Sequence, residues 1–438
     1  MTHDITGKRA VEIAASIEAA VREGRLAPGQ QLPTVRALAA RLDVSPTTVS
    51  AAYRTLRQRG LLMAGGRRGT SVREVPPLRT PLAPPLPRGA RDLATGNPDP
   101  ALLASLGPAL RRIDPSPHLY TGEHQLPALR KLALHEFAAD GIPADSLALV
   151  SGALDGMERV LQAHLRPGDR IALEDPAFSN VIDLCAALGL EMVPVTIDGR
   201  GPLPSSLAAA LDLGVRALVV TPRAQNPTGA ALDTRRTREL RRVLRAAPDL
   251  LLVEDDHAGA ISGAACHTLV EASRQRWAVL RSVSKTLGPD LRLAFLAGDR
   301  ETVARVEGRQ RIGFRWVSHV LQRLVVELAQ TRGAAVRLRT AARTYSRRRQ
   351  ALLHALAEHG IDASGNSGLN VWIPVPEESA VVQRLLAEGW AVAAGERFRI
   401  RTGPAIRVTT ASLDPAEARR LAQAVAHCLD PGHTTAAA

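Results

Sequence analysis

The residue with the most chemistry to offer is a lysine at the end of an apolar run. Ala278-Val279-Leu280-Arg281-Ser282-Val283-Ser284-Lys285 delivers an amine among small hydroxyl side chains, and Gly288-Pro289 and Arg292 come shortly after it. An amine held there can form a Schiff base with an aldehyde cofactor. A plain surface lysine after a strand is the competing reading, and the composition weakens it. Lysine occurs only at positions 8, 131 and 285 among 56 basic residues, so this chain draws its surface charge from arginine. Lys131 sits beside Arg130 in the amphipathic stretch 126–137 and reads as surface, while Lys8 belongs to a basic N-terminal segment.

Four other motifs offer chemistry of the same kind. The run 250–253 ends in Glu254-Asp255-Asp256-His257. Only one histidine accompanies the carboxylates, so no metal is expected. A carboxylate there can instead pair with the protonated ring nitrogen that pyridoxal phosphate needs to act as an electron sink. Ser151-Gly152-Ala153-Leu154 opens a helix after the run 147–150. Free N–H groups at such a start bind phosphate, although a plain strand-to-helix turn reads equally well. Pro222-Arg223-Ala224-Gln225-Asn226-Pro227-Thr228-Gly229 fixes the Asn226 amide between rigid neighbours. Glu174-Asp175-Pro176-Ala177-Phe178 can place a ring to stack on a flat cofactor. No G-x-G-x-x-G comes after a strand and no P-loop is present, which argues against a dinucleotide or nucleoside triphosphate site.

Such motifs need strands to carry them, and the chain supplies them after residue 92. Short apolar runs such as 215–220 and 250–253 alternate with helical patterns such as 235–245. In an open α/β sheet, ligands bind at the carboxyl ends of the strands, which is where these motifs fall. The arginine-rich stretches 235–245 and 343–349 read as solvated surface. At 438 residues, with 45% hydrophobic and 23% charged, the chain has the make-up of a globular protein of two or three domains. Cys185, Cys266 and Cys428 are too few and too far apart for a disulfide framework or zinc cluster. No apolar run reaches the roughly 18 residues of a membrane span, and no signal peptide is evident, so the expected location is the cytoplasm.

Ahead of this body lies a basic module. Residues 1–73 hold twelve Lys or Arg against five Asp or Glu, a balance of +7 out of a net +13, which points to a polyanionic partner. Three helices succeed one another. The second opens after Thr34, and the third opens with Ser45 as cap and Pro46 at the first position. Only Asp43 and Val44 separate them from each other, the spacing of a helix-turn-helix. Then 60–72, with Gly65-Gly66-Arg67-Arg68-Gly69, reads as two short strands around a basic tip, a wing. The third helix would enter the major groove. Ser45, Thr47, Thr48 and Ser50 would face base edges or phosphates, and Arg36, Arg67 and Arg68 would take phosphates. Six prolines between residues 76 and 87 mark a linker over 76–91.

The stretch LPTVRALAARLDVSPTTVSAAYRTLRQRGLL, with RRGTSV after it, resembles the winged helix of the GntR regulators over residues 7–75. Residues 92–430, through the ordered set of five motifs, resemble the fold type I pyridoxal-phosphate enzymes, the aspartate aminotransferase fold. This implies a large α/β domain with a smaller C-terminal α+β subdomain at about 330–430. It implies that Lys285 carries the cofactor, that Asp255 pairs with the ring nitrogen, that Asn226 contacts the ring oxygen and that Phe178 stacks on the ring. Gly152, Ala153, Ser282, Ser284 and Arg292 would hold the phosphate. Tyr120, in Tyr-Thr-Gly-Glu-His-Gln-Leu-Pro, would reach the phosphate of a neighbouring subunit. Arg407 would grip a substrate carboxylate, with Asn370 lining the same pocket.

One departure is His257, standing where the family usually has a tyrosine that donates to the ring oxygen. A histidine titrates near neutrality, which puts efficient transamination in doubt more than cofactor binding. A winged helix, a linker and an aminotransferase-like domain together resemble the MocR subfamily. The implied protein is a homodimeric, pyridoxal-phosphate-dependent regulator that binds double-stranded DNA at paired half-sites and senses a small amino compound through Lys285. A working aminotransferase with an accessory DNA-binding domain is the main alternative, and a repressor that has lost its cofactor is a second.

Overall fold

Two local signals start the helices of the first body. The Thr34 hydroxyl accepts from the Ala37 amide at 3.2 Å, and the Ser45 hydroxyl accepts from the Thr48 amide at 3.1 Å, so each caps the helix it precedes. The computed structural model describes residues 5–58, 61–64, 69–72 and 86–430. Helices α1 (Ala10–Arg22), α2 (Val35–Leu42) and α3 (Pro46–Gln58) lead into strands β1 (Leu62–Ala64) and β2 (Thr70–Val72), which pair antiparallel. Asp43 turns the chain between α2 and α3 in the left-handed region at φ 50°. Ile13, Ile17, Leu38, Val49, Tyr53 and Leu56 form the core with Leu62 and Val72. The wing's two strands are therefore present. Arg67, Arg68, the last winged-helix residues 73–75 and residues 76–85 of the linker lie outside the described residues.

The larger body is built on an eight-stranded sheet. In chain order its strands are β4 (Ser146–Val150), β5 (Arg170–Asp175), β6 (Glu191–Asp198), β7 (Gly201–Pro202), β8 (Ala217–Val220), β9 (Leu251–Asp256), β10 (Trp277–Ser282) and β11 (Ala294–Gly298). They lie in the order β4-β11-β10-β9-β8-β5-β6-β7. β8, β9 and β10 are buried along their whole length, as expected of near-continuous apolar runs in a parallel sheet covered on both faces. Leu129 and Phe137 of the helix Pro127–Ala139, Leu240 of Thr234–Leu244 and Leu324 of His319–Gln330 belong to the same core as Leu218, Leu252 and Val279.

After the 25-residue helix Ala334–Glu358, a smaller three-stranded sheet joins β12 (Asn370–Pro374), β15 (Ala405–Thr409) and β14 (Ala393–Ala394). Leu352, Val371, Ile406 and Leu421 share its core with Leu93, which comes from the start of the body. β3 (Arg91–Asp92) pairs parallel with β13 (Trp390–Ala391), so Arg91 already belongs to this body rather than to the linker.

The arginine-rich helices are not pure surface. Arg236 is 2% exposed, and its guanidinium meets Asp198 at 2.8 Å and the carbonyls of Gly201 and Pro202. Arg349 is 3% exposed and donates to the carbonyls of Gly365, Asn366 and Gly368. These side chains satisfy backbone carbonyls of other segments, which a solvated arginine would not do. The reading of 235–245 and 343–349 as solvated surface is corrected at these two positions.

Candidate functional site

β5, β8, β9 and β10 run parallel, so their ends at Asp175, Val220, Asp256 and Ser282 share one edge of the sheet. β11 runs antiparallel between β10 and β4, which brings Arg292, just ahead of it, back to the same edge beside the end of β4. All five motifs therefore emerge on the edge where such sheets bind ligands.

At this edge the Lys285 Nζ donates to the Gly96 carbonyl at 2.6 Å. Burial, and secondarily the charge of Arg407, lowers its amine from the ordinary 10.5 to about 8. The nucleophilic, unprotonated form is thereby accessible near neutral pH. Arg407, on β15, is buried, and its Nη1 donates to Asn226 Oδ1 at 3.1 Å. Its Nη2 donates to the Ala94 carbonyl, and its guanidinium lies 4.6 Å from the centre of the Phe398 ring. Asn370 joins the group, with Nδ2 3.4 Å from Asn226 Oδ1 and Oδ1 accepting from the Thr409 hydroxyl at 3.0 Å. Phe178 is half-buried against Trp372, Phe398 and Ala405.

The carboxylates at the strand ends are deeply buried. Asp255 Oδ1 has no hydrogen-bond partner. Burial, and then the charge of Asp256, pushes the Asp255 carboxyl up to about 7. An orphaned buried acceptor of this kind fits a protonated ring nitrogen. His257 is held down to about 4 by burial and then by the charge of Lys285. It is therefore neutral at physiological pH, which corrects the expectation of a group titrating near neutrality.

The residues expected to hold a phosphate come together at the end of β4. Gly152 has φ +107°, and a Cβ there would stand 2.6 Å from Arg292 Nη2, so only glycine admits the arginine this closely. Arg292 Nη2 donates to the Ser151 carbonyl at 3.2 Å, and Ala153 is the first residue of the helix Ala153–His164. Across the edge, the Ser284 amide donates to the Ser282 hydroxyl at 3.1 Å. Tyr120 lies on the surface instead, 75% exposed, edge-on to Trp316 and with the Arg315 guanidinium 4.9 Å from its ring centre. Asp140, Asp256 and Cys266 bring three ligand-type atoms within 4.8 Å of one another. Both carboxylates already accept from Arg223 and Arg281, so the group is a neutralised network and not an ion site.

On the first body, Arg36, Ser45 and Thr47 are exposed, and Thr48 and Ser50 are half-buried. Ser45 Oγ lies 2.7 Å from Thr47 Oγ1 and 2.8 Å from Thr48 Oγ1, so three of the four hydroxyls first stabilise the start of α3. The carbonyls of Ala94 and Gly96, the Thr409 hydroxyl and the Phe398 ring carry no signal in the sequence. Backbone carbonyls leave no mark there, and Phe398 ends the short 3₁₀ helix Gly395–Phe398 in an arginine-rich stretch without periodicity.

Comparison with known proteins agrees with this geometry. The family described as "Aminotransferase class I and II" matches residues 91–425, and "Bacterial regulatory proteins, gntR family" matches residues 9–72. The chain is 38% identical over 434 residues to the vitamin B6 salvage pathway transcriptional repressor PtsJ of Salmonella typhimurium, covering 97% of this chain and all of that one. It is 29% identical to the transcriptional regulator TauR of Rhodobacter capsulatus, over 86% of this chain and 87% of that one. Among solved structures, the α-aminoadipate aminotransferase LysN of Thermus thermophilus superposes with a TM-score of 0.69 at 24% identity, over 78% of this chain and 92% of that one, which supports the fold.

Proposed function

Because the chain belongs to the MocR-type regulators, in which a GntR winged helix precedes a class I and II aminotransferase domain, we propose that it senses a small amino compound at Lys285 and reports it to DNA. The observation that carries this reading is the half-buried Lys285 amine at the carboxyl edge of the sheet, donating to the Gly96 carbonyl and lowered to about 8 by burial and the charge of Arg407. Pyridoxal phosphate, the cofactor of this fold, supplies an aldehyde that exchanges one amine for another. Lys285 would hold it, Asp255 would keep its ring nitrogen protonated, and Asn226 and His257 would contact its ring oxygen. Phe178 would stack on the ring, while Gly152, Ala153, Ser282, Ser284 and Arg292 would take the phosphate. Arg407, with Asn370 beside it, offers a planar fork to the effector's carboxylate. A carboxylate bound there competes with the Ala94 carbonyl for the same guanidinium, which gives the effector a differential contact between two states of the domain.

The functional unit is a homodimer in the cytoplasm. Leu119, Tyr120, Ile312 and Phe314 are large apolar side chains left exposed, and a second copy covering them would bring Tyr120 to the neighbouring phosphate site. Two winged helices then read paired half-sites. Among the described residues no helix is long and apolar enough to cross a membrane. Full-length similarity to a repressor named for vitamin B6 salvage favours a second reading, in which pyridoxal phosphate itself is the signal. Footprinting the upstream region with the cofactor alone, and then with added amino compounds, separates the two. Protection altered by the cofactor alone supports the second reading, and protection altered only when an amine is also present supports the first. Protection indifferent to both overturns the sensing role.

A further inference from the structure

Behind Asp255 lies a charge network built around the next residue of β9. Asp255 and Asp256 are successive residues of β9, so their side chains leave opposite faces of the strand. Asp256 is fully buried and accepts from Arg223 Nε and Nη2, both at 2.8 Å, and from Arg281 Nε at 2.8 Å. Arg281 stands in register with it on β10. Asp140, at the end of the helix Pro127–Ala139, closes the set by accepting from Arg281 Nη2 at 2.6 Å and from Arg223 Nη2 at 3.1 Å. Two guanidiniums thus face two carboxylates, and the four sum to zero charge.

The setting makes that neutrality consequential. Five acidic side chains, Glu174, Asp175, Glu254, Asp255 and Asp256, are buried at the ends of β5 and β9. Burial pushes Glu174 up to about 8 and Glu254 to about 7, as it does Asp255. Burial alone would raise Asp256 too, but the hydrogen bonds and charges of Arg223 and Arg281 outweigh it and hold the carboxyl down to about 2. Asp256 is thus the charged neighbour of Asp255, and the two arginines are its hydrogen-bonded counter-charges. Charges interact strongly at such short range in a poorly solvated interior.

We infer that Arg223, Arg281 and Asp140 are positioning residues that set the ionisation of Asp255, and with it the grip on the pyridine nitrogen, by balancing the charge of Asp256. The inference rests on the assignment of Asp255 to the ring nitrogen. It has a signed consequence. Removing an arginine leaves a net negative charge behind Asp255 and disfavours its ionised form, whereas neutralising Asp140 leaves a net positive charge and favours it. A scaffold that merely braces the fold would weaken cofactor binding in both variants alike.

The test compares the full-length protein's affinity for pyridoxal phosphate with its affinity for the deaza analogue, in which C–H replaces the ring nitrogen. It is run at pH 6, below the Asp255 value of about 7. Expected is an affinity ratio about tenfold lower in Arg223→Gln, one pK unit's worth, and a raised ratio in Asp140→Asn. A ratio that stays constant in both variants, or falls in both, overturns the inference. Should Arg223→Gln not fold, as judged by near-ultraviolet circular dichroism, Arg281→Gln replaces it. Asp140 is the more exposed member of the network, and Asp140→Asn decides on its own if neither arginine variant folds. Asp255→Asn separates the role of Asp255 from that of the network. If it leaves the ratio unchanged, the assignment of Asp255 fails. If it abolishes the preference while the network variants do nothing, only the inference fails.

Discussion

Arginine does opposite work in the two bodies of this protein. In the first, Arg9, Arg25, Arg36, Arg41 and Arg54 are exposed, available to a polyanion, and pair at most with neighbours at the surface. In the second, Arg223, Arg236, Arg281, Arg349 and Arg407 are all buried. Each of these donates to carboxylates, carbonyls or an amide oxygen. The fork of donors that suits a phosphate on DNA also suits a buried carboxylate or a loop carbonyl. A high arginine content is therefore not a measure of DNA-binding surface. Only the arginines of the first body should respond to salt, and only those of the second should carry the fold.

The largest expected effect tests the one basic residue that arginine cannot replace. Lys285→Arg keeps the charge but cannot release a proton near neutrality, so the visible band of the bound cofactor should vanish along with any effector response. DNA binding by the cofactor-free protein should persist. A band retained in Lys285→Arg would remove the basis of the site. A tenfold effect per pH unit comes next. Because the amine must lose its proton to react, the rate at which added pyridoxal phosphate becomes fixed should climb with pH and level off above about 8. A climb continuing through pH 10 would mean that Lys285 is solvated.

The arginine contrast itself predicts two further outcomes. Arg349→Ala strips three loop carbonyls of their donor and should cost about 3 kcal/mol of stability, read as a fall in Tm with no change in the salt dependence of DNA binding. Arg36→Ala should do the reverse. Its stability should stay within about 0.5 kcal/mol of the parent, while the slope of log K against log salt falls by about 1. If Arg36→Ala leaves the slope intact, α2 does not approach the phosphates as proposed.

Much of this organisation can be read from local patterns. The Ser45-Pro46 start of α3 is a matter of a hydroxyl meeting an amide three residues away, and a single sequence displays it. Lys285, Asp255, Asn226 and Phe178 stand out because each comes just after an apolar run. A run long enough to be a buried strand sets the residues beyond its end at the ligand edge. His257 is legible as a departure, but its protonation is not, because that depends on burial created by residues far along the chain. The arginines of 235–245 and 343–349 read as surface because their neighbours in sequence are polar. Arg236 and Arg349 turn inward toward carbonyls that belong to other segments of the chain.

The sequence alone determined two bodies, the helix-turn-helix, the strand-ended motifs and the lysine on which the chemistry depends, since all of these rest on contacts or periodicities within a few residues. Only the tertiary structure decided which charges are neutralised and by what. Asp256 meets Arg223 from 33 positions away, and Arg407 meets Ala94 from 313 positions away. Whether a buried group is charged is set by the groups that close around it, and that closure exists only once the sheet and its loops have assembled.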